Sequence, residues 1–380
     1  MNFASKGNIG NGGTVTNISV GGNAGNRCSN ITAGGDVHIG DKQRKKNGGP
    51  KILVVGDLHF REGDLILPKL FTSKIAKILG SSSYSCCVLL GDVFHNFETA
   101  KQPAVAAVTE LFEVITECCP LFVLVGNHDY INGSQFMTKN HMLLPFDHWE
   151  NVRIIDKPTV VKMTNCRILF VPYVPKGQFL EALEDVKGWN SVDMIFAHQE
   201  FQGCQMGGHV SDNGDCWSPK FPPIISGHAH IKHKVGNNIN YPGTPYDIGY
   251  GESSNRYVCE LMFSDNTYTI NYINTKLPRK KTVRLNVDDA KEWYPEGNDL
   301  YQLKILGSKE CYSSFSASSH AKDLRVAGVK IAYVREDTKR IEEYLEKKKS
   351  ESKGCESYRD IFTALVEKEG LKDLGDKILN

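Results

Sequence analysis

The sequence predicts an α/β layer fold, and three observations predict it. Short apolar runs of strand length recur from residue 51 onward. Between the first of them lie stretches with apolar residues at helical spacing. The second half is denser in strand-like runs than the first. Strands that alternate with amphipathic helices build sheets with parallel neighbours, and two packed sheets with outer helices accommodate the whole set.

Residues 1–49 are rich in Gly and Asn, with no aromatic after Phe3. They cannot bury enough apolar surface to offset their ordering entropy, so a flexible extension is expected. Weak alternation at residues 15–20 and 36–39 leaves a small polar β-coil or an oligomerising element as the alternative. The basic run from Lys42 to Lys46 reads as a solvated linker or a phosphate contact. The folded part starts at Lys51. Residues 52–55, 86–90 and 121–125 read as buried strands, and residues 65–79 and 101–117 as helices, the first with Leu67, Leu70, Phe71, Ile75, Ile78 and Leu79 at helical spacing. Further strands are expected at 152–155, 160–163, 167–171, 194–197, 224–226, 257–262 and 268–273, with a helix over 178–187. Lys276, Arg279, Lys280, Lys281 and Arg284 form a basic stretch that opens a small second α/β unit, with strands at 301–306 and 329–334. The division is then 1–49, 50–275, 276–338 and a helical tail 339–380, where Tyr358, Ile361, Phe362, Leu365 and Val366 recur at helical spacing.

The chain has 380 residues, 40% apolar, 23% charged, with a formal net charge of +1. Attraction to phosphate must therefore come from a local patch or bound metal rather than the global field. The 11 cysteines include no Cys-x-x-Cys pair, which argues against a zinc knot and for free thiols in a reducing compartment. No run reaches the ~18–20 apolar residues of a membrane span, and the start is polar, so an intracellular protein without membrane association is expected.

Five short motifs each follow an apolar strand: Asp57-Leu58-His59, Gly91-Asp92, Gly126-Asn127-His128-Asp129, His198, and Gly227-His228-Ala229-His230. Loops at the carboxyl ends of strands converge on one sheet edge, so residues distant in sequence meet there. Two aspartates, one asparagine and four histidines give a mixed oxygen and nitrogen donor set suited to two divalent transition ions: Mn, Fe or Zn. Two ions close together need a shared carboxylate, and Asp92 is the choice for it.

These residues resemble the calcineurin-like metallophosphoesterases, and within them the SbcD-type nucleases of double-strand-break repair complexes. Gly91-Asp92-Val93-Phe94-His95-Asn96 is similar to that branch's Gly-Asp-Leu-Phe-His, and Tyr241-Pro242-Gly243-Thr244-Pro245 with Gly251-Glu252 to its Pro-Gly-Ser-Pro…Gly-Glu. The likeness covers about 51–275 closely and 276–338 loosely. It implies a two-sheet αββα metallophosphoesterase sandwich with a small C-terminal α/β cap that grips DNA. It also implies one metal on Asp57, His59, Asp92 and His230 and a second on Asp92, Asn127, His198 and His228. His128 would serve the leaving oxygen. Asp129 would orient His128 or merely cap its own loop.

The function implied is a Mn-dependent DNA exo- and endonuclease of repair or recombination. DNA is the expected partner, with an SbcC-type ATPase docked on a face of Tyr358, Phe362 and Leu365, and a homodimer as a further alternative. A phosphomonoesterase or cyclic-nucleotide phosphodiesterase fits the same chemistry, because the metals recognise only phosphate. A non-enzymatic scaffold subunit for an ATPase is the third reading.

Overall fold

The computed structural model describes residues 37–38, 49–164, 166–264 and 267–335. Four mostly apolar strands, Lys51–Val55, Cys86–Leu89, Leu121–Leu124 and Val152–Ile155, lie side by side in parallel, with Lys51 and Arg153 the polar exceptions. Strands of this kind are largely apolar because both their faces are covered. Tyr257–Ser264 and Thr267–Asn274 add antiparallel to the 51–55 edge and complete a six-stranded sheet. A seven-stranded sheet runs in the order 37–38, 159–163, 166–171, 194–198, 224–227, 239–241, 233–235. Its strands from Cys166–Val171 through Met194–His198 and Ile224–Gly227 to Ile239–Tyr241 are parallel.

The period-two alternation of each strand divides its side chains between two layers. Ile52, Val54, Cys86, Val88, Ile168, Phe170, Met194 and Phe196 meet in one core between the sheets. Leu169, Val171, Ile195 and Ala197 face the other way, into a second cluster with Phe179, Leu183 and Tyr241. Helix Ile66–Ser81 buries Leu67, Phe71, Ile75, Ile78 and Leu79, while Leu70, expected in that stripe, is exposed. Helix Gln102–Thr116, which has a proline in its first turn, buries Ala104, Ala107, Val108, Leu111, Phe112 and Ile115. The two-sheet α/β sandwich expected from the sequence is the observed fold.

Three expectations are corrected. The helix over 178–187 is a single 3-10 turn, Glu181–Leu183. Gly177 and Gly188, on either side of the stretch, have left-handed backbone. The extension expected to be flexible to residue 49 contributes the two-residue strand Val37–His38, parallel to Thr159–Met163. The alternation at 36–39 was its signal. The remaining 1–36 and 39–48, with Lys42 to Lys46, lie outside the described residues, as does the tail with Tyr358, Phe362 and Leu365. Third, the catalytic segment is not continuous to 275: residues 207–209 and 246–256 group with the unit that resumes at 276.

That second unit has its own core. Lys280–Asn286, Leu300–Gly307 and Lys330–Arg335 form a three-stranded parallel sheet, and Tyr301, Leu303 and Ile305 pack on Ala290, Phe315 and Leu324 of its helices. The helices Val287–Glu292, Lys309–Ala317 and Ser319–Val326 each start at a side-chain cap, on Asn286, Ser308 and Ser318. Buried Asp247 explains the 246–256 excursion: it accepts from Arg256 Nε at 2.7 Å, Arg279 Nε at 2.8 Å and the Lys280 amide at 2.8 Å. Arg279 is thus engaged within the unit, while Lys281, half exposed, pairs with Asp299 at 2.6 Å.

Candidate metal centre

Every motif follows a strand of one of the two sheets, and the folding of those strands delivers the side chains to one place. Asp57 and His59 follow 51–55, Asp92 follows 86–89, and Asn127 and His128 follow 121–124. His198 ends 194–198, and His228 and His230 follow 224–227. Three of the expected ligands, His59, Asp92 and His228, have left-handed backbone at φ 50°, 48° and 78°. Such a conformation costs on the order of 1–3 kcal/mol for a residue with a side chain and is held only where the surroundings dictate it. Here His59 N donates to Asp92 O at 2.9 Å, and His228 N to Asp57 Oδ2 at 2.9 Å.

The donor atoms fall into two groups that share Asp92. In the first, His59 Nε2 and His230 Nε2 are 3.0 Å apart, with Asp57 Oδ2 3.7 Å from His230 Nε2 and Asp92 Oδ2 3.6 Å from His59 Nε2. In the second, Asn127 Oδ1 lies 3.0 Å from His198 Nε2 and 2.9 Å from His228 Nδ1, with Asp92 Oδ1 3.4 Å from His198 Nε2. The two oxygens of Asp92 therefore face different groups. All seven expected ligands come together. Asp57, His59 and His230, and separately Asp92, His198 and His228, bring donor atoms close enough to hold an ion. A third such group contains His128 with His59 and Asp92.

The charges fit a pair of cations. Burial, and then Asp92, push the Asp57 carboxyl up to about 7. Burial disfavours charge on His198, yet Asp92 beside it raises the imidazole to about 9. Burial opposes the Asp92 charge as well, but the His198 and His59 imidazoles around it hold its carboxyl well below the usual range. The pocket thus calls for positive charge next to two buried carboxylates, which divalent ions held by these residues would supply in place of protons. His198 Nδ1 donates to the Leu90 carbonyl at 2.8 Å, which leaves Nε2 as the lone pair turned to the donor group.

His128 is oriented by a backbone carbonyl, and of the two roles expected for Asp129 the geometry matches the loop cap. Its Nδ1 donates to the His95 carbonyl at 2.6 Å, so Nε2 is its open nitrogen. Its backbone N–H donates to Asp92 Oδ1 at 2.9 Å. Asp129 does not hold it: fully buried, Asp129 accepts from Phe94 N at 3.0 Å and Gly126 N at 2.9 Å, and is the cap of its own loop. Two contributors escaped the sequence reading. One is His95, inside the second motif, whose carbonyl sets the His128 tautomer and whose ring stacks near it at 5.7 Å and 13°. The other is Glu200, 3.5 Å from His228 Nε2, on the side away from Asn127. Hydrogen bonding to His228, with further help from Lys176 at 2.8 Å and Ser211 at 2.6 Å, holds its carboxyl down at about 2. A carboxylate two residues after a ligand histidine was the one available signal.

This fold and donor set define a class, the metal-dependent phosphoesterases. The family model described as calcineurin-like phosphoesterase matches residues 50–257, more than half the chain, and the chain belongs to that family, which uses a dinuclear divalent metal centre. The chain is 34% identical over 273 residues to "Putative phosphoesterase 244L" of Invertebrate iridescent virus 6, covering 70% of this chain and 96% of that protein. It is 30% identical over 331 residues to "Putative phosphoesterase 078R" of Invertebrate iridescent virus 3, covering 85% and 94%. A third relative is "Exonuclease subunit 1" of Enterobacteria phage T4, 25% identical over 167 residues, 43% of this chain and 48% of that protein. The protein is a phosphoester hydrolase by family. No helix among the described residues is long and apolar enough to cross a membrane.

Proposed function

We propose that this protein is a DNA exo- and endonuclease that works with two divalent ions, manganese first, in repair or recombination. The observation that carries the reading is Asp92, whose two oxygens face two separate donor groups while its Oδ1 also accepts from the His128 amide. Asp57, His59, Asp92 and His230 would hold one ion, and Asp92, Asn127, His198 and His228 the other. Bound there, such a pair clamps a phosphate and lowers the pKa of a water. The chain's own part is to fix the donors, through strained backbone and the Leu90 and His95 carbonyls, and to present His128 as an imidazolium, its Nδ1–H held by the His95 carbonyl and its Nε2–H free to pass a proton to the leaving oxygen.

The nuclease half of the reading is supported by the relative in phage T4 named as an exonuclease subunit. That name also supports a partner chain, which we take to be an SbcC-type ATPase; a homodimer is the alternative assembly. A grip on DNA is supported by the second unit. Its sheet turns Leu303 and Ile305 to the helices, so the cross-strand pair Arg284 and Lys304, with Lys330 one pair further along opposite Gln302, shares the other face.

The test is an activity matrix on the pure protein: linear DNA, p-nitrophenyl phosphate and bis-p-nitrophenyl phosphate, each with Mn, Mg, Fe or Zn. Degradation of DNA with Mn, lost in Asp92→Ala, is expected. Rapid turnover of a small ester with DNA left intact would turn the assignment to a small-molecule phosphoesterase.

A further inference from the structure

Metals held by the donor groups would recognise only phosphate, so the choice of ester falls to what surrounds them. Phe97 stands beside His128 with ring centroids 4.6 Å apart and planes at 24°. Phe60 and Phe94, on neighbouring turns, are buried, whereas Phe97 is 40% exposed. Leaving a phenyl ring open forgoes part of the stabilisation its burial would contribute. The ring is nevertheless well placed. Thr99 N donates to Phe97 O at 2.6 Å, and the next residue, Glu98, has left-handed backbone at φ 61°. A strained turn thus sets an aromatic face next to the His128 imidazole.

Resting on the nuclease reading above, we propose that Phe97 is a nucleobase-stacking subsite, so the substrates taken are nucleoside phosphodiesters whose base lies on this ring. The base belongs to one of the two nucleotides flanking the reacting phosphate, because Phe97 touches the residue that serves the bond being broken. Stacking on an aromatic face tolerates every base, since each presents a π surface. The subsite therefore favours nucleic acid over simple phosphate esters without reading sequence. The competing account is that Phe97 only steadies His128.

The experiment uses the full chain with Mn and an oligonucleotide holding one hydrolysable phosphodiester, all other linkages being methylphosphonate. Three versions carry a tetrahydrofuran abasic residue 5′ of that bond, 3′ of it, or nowhere. Phe97→Leu keeps apolar bulk but loses the π face, and Phe97→Trp keeps the face. For Phe97→Leu, kcat/KM on the fully based version is expected to fall about tenfold or more. One of the two abasic versions is expected to show no further loss, and Phe97→Trp to stay near wild type on all three. Equal slowing by Phe97→Leu on all three substrates, or no slowing on any, overturns the subsite and leaves the nuclease intact. If wild type hydrolyses p-nitrophenyl phosphate but none of the oligonucleotides, the nuclease reading fails and the subsite with it.

Discussion

Replacing Gly126 with alanine would set a methyl carbon 2.2 Å from both the backbone nitrogen and Oδ1 of Asp92, where ordinary contact lies at 3.4–4 Å. Neither neighbour is a flexible chain end. The nitrogen belongs to a left-handed residue, and the oxygen is bonded to His128 N. One of the two strand-end loops must then retreat by roughly 1 Å, which in a close-packed site shifts Asp92 and His128 together. Overpacking of this kind costs about 1–3 kcal/mol of stability. A misplacement near 1 Å costs about 100-fold in rate. Gly126→Ala should therefore lower kcat/KM with manganese about 100-fold while the protein still folds, with a melting temperature lower by several degrees. Gly80→Ala is the control. It lies in the last turn of the 66–81 helix with nothing within 4 Å of the added carbon, and should leave activity unchanged while stabilising by about 0.5–1 kcal/mol. Wild-type rate and wild-type metal content in Gly126→Ala would refute the claim that glycine is required there for close approach.

Three further outcomes follow from the geometry. Glu200→Ala removes the carboxylate behind His228 and should weaken manganese binding about 10–100-fold in calorimetric titration, with Glu200→Gln recovering part of it. His128→Ala should lower kcat by about 10²–10⁴ while elemental analysis still finds two ions per chain. Burial opposes the charge of Glu260, but Lys51 at 2.7 Å and the Tyr84 hydroxyl hold its carboxyl below the ordinary range. A depressed carboxylate stabilises the fold above its unfolded pKa, and that stability is lost as pH falls through the folded value. The melting-temperature gap between wild type and Glu260→Gln should thus be largest near neutrality and close on acidification; a gap constant down to pH 3 would exclude this pair as the cause.

Among the described residues, secondary structure was legible wherever a segment buries one face or both. Ile52 to Val55, Cys86 to Leu89 and Met194 to Ala197 are apolar without interruption because each lies between covered layers. The misreadings are local. Residues 178–187 bury Phe179, Ala182 and Leu183 at near-helical spacing, yet only Glu181–Leu183 forms a turn of 3-10 helix. Leu70 sits at the margin of a stripe whose centre is Phe71 and Ile75. The nine cysteines among the described residues are all free, as their spacing suggested.

What the sequence alone determined is where donor side chains follow apolar strands, and with that the kind of chemistry this chain supports. Hydrophobic runs specify strands and put the donors just past strand ends; the donors come from both sheets, so it is the packing of the two sheets that brings Asp57, Asp92 and Asn127 to His198, His228 and His230. What only the tertiary structure decided is which atom meets which. Asp92 turns one oxygen to each donor group, the His95 carbonyl rather than Asp129 takes the His128 hydrogen, Glu200 stands behind His228, and residues 246–256 join the second unit through Asp247. Those pairings are distances between residues up to 171 positions apart, as for His59 and His230. Local periodicity sets the direction a side chain leaves its own strand but carries no information about the partner that the packing of two sheets brings to it.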